Sequence, residues 1–471
     1  MKIESRKLFN LLKKYTMKKL CTLLLVALTI MSCAKQETQQ TKHPKFAYDA
    51  TIYELNTRQL TPEGTFRAAE AELPKLKEMG VDIIWIMPLQ PIGKLTRKGT
   101  LGSYYSIVDY YEFNPEFGTR EDFEHFLAKA HELGMKVILD WVANHTAPDS
   151  EWTQNEGWHY RDENGNLVVQ YDWTDISKLN YENEDMRAAM KEAMHFWMDE
   201  IGIDGFRCDV AGEVPTDFWN DAMSELRQTH PDMFTLAEDE DKAMELCESA
   251  FDMYYGWTLH HLINGVAQGT KSVQDLWDYF AKADTTVEKY AIRMNFISNH
   301  DENSWAGDEY ERLKSNAAVE AMTAFTYIIP GMPLIYTGQE YGNHHRLEFF
   351  EKDCIDRDEN CRMRPLYTEL NDIRQSNPAL YSPELGAPMV RLECDNDKVF
   401  ACVRNAYLAD RKKTNTVISL INMSNEPQEV TAITSDYADD YFDLDGNMVA
   451  LDETHTWQLE PWQFIILTDM D

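Results

Sequence analysis

The stretch Thr119–His145, TREDFEHFLAKAHELGMKVILDWVANH, decides the fold. Its first half reads as a helix. Thr119 and Asp122 have the spacing of a capping box, and Phe123, Phe126, Leu127 and Ala130 fall on one helical face. Gly134 ends it, as glycine commonly does where the residue past a helix needs positive φ. A short apolar strand, Met135–Val142, follows at once. The same unit recurs on both sides. Phe66–Met79, with Phe66, Ala69, Leu73 and Leu76 on one face, stops at Gly80 before the strand Val81–Leu89. A helix from about Glu184 to Glu200 stops at Gly202 before Ile203–Asp209. Such alternation predicts parallel strands joined by crossover helices.

Eight strands are predicted: Thr51–Asn56, Val81–Leu89, Met135–Val142, Ile203–Asp209, Met233–Glu238, Ser249–Tyr255, Ile292–Asp301 and Met332–Tyr336. Eight fit a (β/α)8 barrel over residues 46–378. An open doubly wound sheet is the alternative, but no glycine-rich phosphate loop follows the first strand. One insertion, 146–181, breaks the alternation after the third strand and carries Trp152, Trp158, Tyr160, Tyr171 and Trp173. Past Pro378 the period changes to two, over Pro388–Glu393, Lys398–Arg404, Thr414–Asn422 and Trp462–Leu467, with an Asp445-Gly446 turn before the last. Residues 379–471 are therefore expected to form an antiparallel β-sandwich.

The chain has 471 residues and a formal net charge of −35, which excludes nucleic acid as a partner by charge repulsion. At the N-terminus, Lys18 and Lys19 precede the apolar run Leu20–Met31, too short to span a bilayer comfortably and laid out as a secretory signal. Ile30-Met31-Ser32-Cys33 resembles a bacterial lipoprotein cleavage box. That makes 1–33 a signal segment and 34–45 a tether, with the protein held at the cell envelope, periplasmic or on the outer-membrane surface. The lipid anchor would be its only membrane contact. The six cysteines past Cys33 show no CxxC pair, which speaks against zinc and against a disulfide scaffold. Cys354 and Cys361 share one loop and are candidates to pair; Cys208 reads as a buried small hydrophobe.

Four predicted strands end in polar clusters: Asp140-Trp-Val-Ala-Asn144-His145, Gly205-Phe-Arg207-Cys-Asp209, Thr235-Leu-Ala-Glu238 and Ser298-Asn-His300-Asp301. In a barrel these ends converge on one face, where burying charge is tolerable only around a solvated site. Retaining glycoside hydrolysis needs a nucleophilic carboxylate and an acid/base carboxyl about 5–5.5 Å apart. A third carboxylate can hold substrate hydroxyls and help raise the acid's pKa. Arg207 lies two residues before Asp209, on the same strand face, and is placed to keep that carboxylate ionised. His145 and His300 suit hydrogen bonds to sugar hydroxyls.

These blocks resemble, in chain order, the four short motifs of the α-amylase family of glycoside hydrolases. The resemblance implies Asp209 as nucleophile, Glu238 as acid/base and Asp301 as transition-state stabiliser. Arg207, His145 and His300 would touch the substrate. The segment Tyr104–Tyr110 is similar to the family's loop after strand two and implies Tyr105 as the platform under the sugar being cleaved. Asn114–Thr119 and Tyr336–Glu340 resemble further family segments. The chain departs from the pattern where many relatives have Lys-His after the nucleophile and here Gly212-Glu213 stands, and where Lys178 precedes Leu179-Asn180 in place of an aspartate. Both changes weaken the family's usual calcium site, so no cofactor is expected to be required, although calcium is not excluded. The implied activity is cleavage of α-1,4-glucosidic bonds in starch-like glucans or maltooligosaccharides. An oligosaccharide α-glucosidase, a transglycosylase and a non-catalytic glucan-binding lipoprotein are the competing readings. A metal-dependent hydrolase using Asp140, His145 and His300 is disfavoured, because those three lack His-x-His or Glu-x-x-His spacing.

Overall fold

A computed structural model describes residues 41–286, 291–409 and 412–469. The signal segment 1–33 and most of the tether lie outside the described residues. The packed unit runs from His43 to Asp471. His43, placed in the tether by sequence, is buried with its Nδ1 2.9 Å from Asp252 Oδ1. Among the described residues no helix is long and apolar enough to cross a membrane.

Eight parallel strands close into a barrel: β1 (Ile52–Leu55), β2 (Ile83–Ile86), β3 (Lys136–Trp141), β4 (Gly205–Cys208), β5 (Phe234–Ala237), β6 (Met253–Tyr255), β7 (Ile292–Asn295) and β8 (Met332–Tyr336). The pleat sorts each strand. Ile83 and Trp85 of β2 belong to an interior cluster with Ile52, Ile138, Leu236, Met253, Ile292 and Leu334, while Ile84 and Ile86 pack outward under the helices. The helix Arg120–Glu132 starts with the expected Thr119–Asp122 capping box, and Gly80, Gly134 and Gly202 all have positive φ.

Among the predicted boundaries that change, three have a clear local cause. Phe66–Met79 splits into helices Phe66–Glu70 and Leu73–Glu78, because Pro74 has no N–H to carry the ladder through. The expected strand Ser249–Tyr255 begins only at Met253; Ser249 ends the helix Ala243–Ser249, and Ala250 and Phe251 donate back to the Leu246 carbonyl. The seventh strand stops at Asn295, six residues short of Asp301. There Asn299 accepts from the Glu302 and Asn303 N–H groups and starts a π-helical turn, Glu302–Ala306, that swings the chain over the barrel mouth.

The C-terminal strands are β9 (Met389–Arg391), β10 (Val399–Leu408), β11 (Lys413–Asn422), β12 (Gln428–Ile433), β13 (Asp440–Phe442), β14 (Met448–Ala450), β15 (Thr454–Leu459) and β16 (Phe464–Thr468). Six form an antiparallel sheet, β9-β10-β11-β16-β13-β14, and β12 pairs with β15. Val399, Ala401 and Val403 face β12 and β15 in a core of their own, with Val430 and Trp457. Phe400 and Cys402, one residue out of phase, join the barrel's helical layer, where Phe400 stacks on Trp277 at 4.5 Å between ring centres. Cys354 and Cys361 do not pair. Their thiols point at separate carbonyls, of Thr61 and Glu340, because each is held by its own turn of the loop.

Candidate active site

Period-two alternation carries the interior rows of β3, β4 and β5 upward into Asp140, Arg207 with Asp209, and Glu238. Register pairs Asp140 with Arg207 across β3 and β4. On the other side of β4, Gly205 lets β5 come close: with φ of 150°, a Cβ there would lie 1.9 Å from the Phe234 carbonyl oxygen.

Arg207 is fully buried at the centre. Its Nη1 is 2.9 Å from Asp140 Oδ1 and 3.2 Å from Asp209 Oδ1, and its Nη2 is 2.9 Å from Glu238 Oε1. The guanidinium also donates to the Tyr255 hydroxyl, while the Val210 N–H donates to Glu238 Oε2 at 2.8 Å. So Arg207 does not serve Asp209 alone, as its position in the sequence suggested. It is shared by three carboxyls.

The opposite wall comes from the loops after β2 and β7. Tyr105 donates from its hydroxyl to Asp140 Oδ2 at 2.9 Å, lies 2.9 Å from His300 Nε2, and its ring stacks on the His300 ring. Asp301 sits 3.4 Å from His300 Nε2 and is the most open of the expected trio, its side chain 37% exposed against 11% for Asp209 and 12% for Glu238. His145 reaches Asp209 at 4.0 Å. All seven sequence-predicted residues (Tyr105, His145, Arg207, Asp209, Glu238, His300, Asp301) therefore meet, and six of them line one cavity of about 500 Å³, with Arg207 behind it.

Three members went unread in the sequence. Glu54, at the end of β1, is fully buried against His300 Nδ1. Trp85 donates from its indole to Asp140 Oδ2 at 3.1 Å, and Tyr255 anchors Arg207. Glu54 carried a usable signal, a lone acid within an apolar strand. The two aromatics carried none that separates them from core residues.

Burial, together with the crowding of Glu54, Asp140, Asp209, Glu238 and Asp301 around one guanidinium, governs protonation. Burial raises Glu238; Arg207 opposes this and Asp301 adds to it. Burial, then the charge of Glu238, raises Asp209 well above the usual carboxylate range, again opposed by Arg207. The two histidines part company. Burial pushes His145 down to about 3, so it is neutral. Burial also works against charge on His300, but Asp301 and Glu54 outweigh it and lift it to about 9.

At the edge of the site Lys178 and Glu213 form a closed polar node. Lys178 Nζ is 3.6 Å from Glu213 Oε2, Gln170 donates to the same carboxylate at 2.9 Å, and Tyr171 donates to its other oxygen at 2.7 Å. Asn144 in turn donates to Gln170. Ammonium, amide and phenol already occupy the acidic group, so these residues do not fit a hard cation, which wants several free oxygens.

Carboxyls gathered round one arginine at the mouth of a parallel barrel are the architecture of a glycoside hydrolase site. The model of the α-amylase catalytic domain matches residues 37–157 and 153–377, and the chain belongs to that family. It is 27% identical over 407 residues to an α-amylase of Haloarcula japonica, covering 82% of this chain and 57% of that protein. The chain spans about three fifths of the length of this and two further curated relatives it matches. Among solved structures, an α-amylase from Lactobacillus plantarum superposes with a TM-score of 0.80 at 29% identity, over 90% of this chain and 99% of that one. A maltogenic α-amylase from Thermotoga neapolitana does so with 0.80 at 28% identity, over the same shares.

Glu54 acts through His300. Glu54→Gln removes one of the two charges that hold His300 protonated, so its pKa falls from about 9 toward the ordinary value near 6.5. Followed by NMR titration, the His300 imidazolium should lose its proton about one unit or more lower in pH than in the unmodified protein. An unshifted titration would show that Glu54 does not hold that proton.

Proposed function

We propose that this protein hydrolyses α-1,4-glucosidic bonds of starch-like glucans or maltooligosaccharides with retention. The observation that carries the reading is the single guanidinium gripping Asp209 and Glu238. It brings the two carboxyls to adjacent nitrogens of one group, an arrangement that suits a retaining pair, whose carboxyls stand about 5–5.5 Å apart. Both are raised by burial, so the pair keeps one proton between them while Arg207 supports the other as carboxylate.

Glu238 gives its proton to the glycosidic oxygen as the Asp209 carboxylate bonds to the anomeric carbon and the leaving sugar departs. Water then attacks that carbon, loses its proton to Glu238 and frees Asp209. Tyr105, braced by His300 and flanked by Phe349, is the platform for the ring. Protonated His300 and neutral His145 donate to sugar hydroxyls, and the more open Asp301 accepts from them. Acarbose occupies an α-amylase, and maltose a second protein, in solved structures with the same fold, which agrees with a glucan substrate. Transfer to a sugar acceptor uses the same first step, and the relatives include maltosyltransferases.

Glu238→Gln, given an α-glucosyl fluoride whose leaving group needs no proton, should accumulate a sugar adduct on the peptide holding Asp209, visible by mass spectrometry. Asp209→Asn should form none. An inverted anomer in the first product, or an adduct on Glu238 or Asp301, would overturn the assignment.

The enzyme is further proposed to need no calcium, since Lys178 and Gln170 occupy Glu213. Treatment with EDTA should leave activity and Tm unchanged; a loss restored by calcium would show a cation site elsewhere. Its proposed location, lipid-anchored through Cys33 at the cell envelope, rests on the Ser32-Cys33 motif. Cys33→Ala should move the protein from the membrane fraction to the soluble one, and a wild-type protein already soluble would exclude the anchor.

A further inference from the structure

The proton donor marks the leaving-group side of a glycosidase site. Glu238 stands at the end of β5, and in an eight-stranded barrel the strand across from β5 is β1. On the proposed reading, the sugars that stay on the enzyme therefore extend toward β1 and its neighbours, β2 and β8. On that side two loops are bonded to each other.

The contact is a seam between the loops after β2 and β8. The Leu101 N–H donates to the Phe350 carbonyl at 3.0 Å, and the Thr100 N–H donates to Glu351 Oε1 at 2.9 Å. Gly99 lets the two backbones meet. Its φ is 60°, and a Cβ there would lie 2.5 Å from that of Phe350. Two buried residues just past β1 pin the seam from below: Arg58 donates to the Phe349 carbonyl at 3.1 Å and Gln59 to the Glu351 carbonyl at 3.0 Å. The insertion after β3 adds the third side through Asp175, whose side chain is 5% exposed and whose Oδ1 is 3.1 Å from Lys98 Nζ. Trp305, from the loop after β7, leans over Phe349 and Phe350 at 5.3 and 5.7 Å. Lys98, Asp175, Phe349 and Phe350 all face the cavity that holds Asp209 and Glu238.

We infer that the enzyme works from the non-reducing ends of glucan chains. A long chain cannot pass the seam, so only a terminus seats between Tyr105 and the wall, where the Lys98 ammonium and the Asp175 carboxylate meet its terminal hydroxyls. A group that caps those hydroxyls cannot be accommodated, because it adds bulk against a packed wall and removes the hydroxyl protons that Asp175 would accept.

Two p-nitrophenyl maltoheptaosides test this, one unmodified and one carrying a 4,6-ethylidene group on its non-reducing glucose, with products separated over time. The unmodified compound should be shortened from its free end, and the capped one consumed at least about a hundredfold more slowly. Lys98→Ala and Lys98→Gln, at a partly exposed position that tolerates change, should narrow that ratio by about tenfold. Equal consumption of both compounds, with cuts inside the chain, overturns end-directed action and leaves the hydrolase reading intact. Failure to cleave either overturns both. A discrimination unchanged in both Lys98 variants removes the Lys98–Asp175 pair from the recognition of the chain end.

Discussion

A charged arginine inside the barrel is the constraint on which the rest of the site depends. Burying a lone guanidinium costs several kcal/mol, and it is tolerable only if opposite charges and hydrogen bonds replace the lost water. Arg207 has both: Asp140, Asp209 and Glu238 bind its nitrogens, and the rings of Trp85, Tyr255 and Tyr105 lie 4.9 to 5.8 Å from its carbon. Each partner comes from a different strand or loop. The closed barrel is what brings them within one guanidinium's reach, and the guanidinium is what lets so many carboxyls share a dry space. Removing it would leave those carboxyls facing one another without a counter-charge.

The same economy of charge explains why two histidines that look alike in sequence behave differently. Both follow a barrel strand, and both come within 4.0 Å of a carboxylate in space. His145 has Lys178 nearby and an asparagine at its Nδ1, and a hydrogen bond with the Tyr105 backbone is too little to offset its burial, so it stays neutral. His300 lies between Glu54 and Asp301, and their charge holds its proton into alkaline solution. Sequence supplies the residue type. The partners supplied by distant strands decide the protonation state.

Much of the site was legible because barrel chemistry is concentrated at strand ends. An apolar run that stops on Asp, Glu or Arg is conspicuous, and four such runs in order pointed to one face. Glu54 met the same criterion but was passed over, since only its eventual neighbour His300, 246 residues away, shows what it does. Strand lengths were read too generously wherever a buried polar residue turned the chain, as at Asp252 and Asn299. Four strands of the C-terminal sandwich, Gln428–Ile433, Asp440–Phe442, Met448–Ala450 and Thr454–Leu459, escaped notice. Three or six residues with one face in water leave little apolar signal.

What sequence motifs describe least is the wall, and the reason is physical. The reacting groups sit on strands whose register is fixed by hydrogen bonds and core packing, so a local motif implies a position. The wall is built from loops after β1, β2, β3, β7 and β8, held by backbone carbonyls that any residue could supply. The residue types that matter there, Arg58, Gln59, Lys98, Gly99, Asp175 and Glu351, are meaningful only once the two loops and the insertion are seen together. A barrel can thus keep one set of carboxyls and change which glucans it accepts by moving loops alone. In this chain the loops meet on the side away from Glu238, so the constraint falls on the sugars retained by the enzyme and not on the group that leaves.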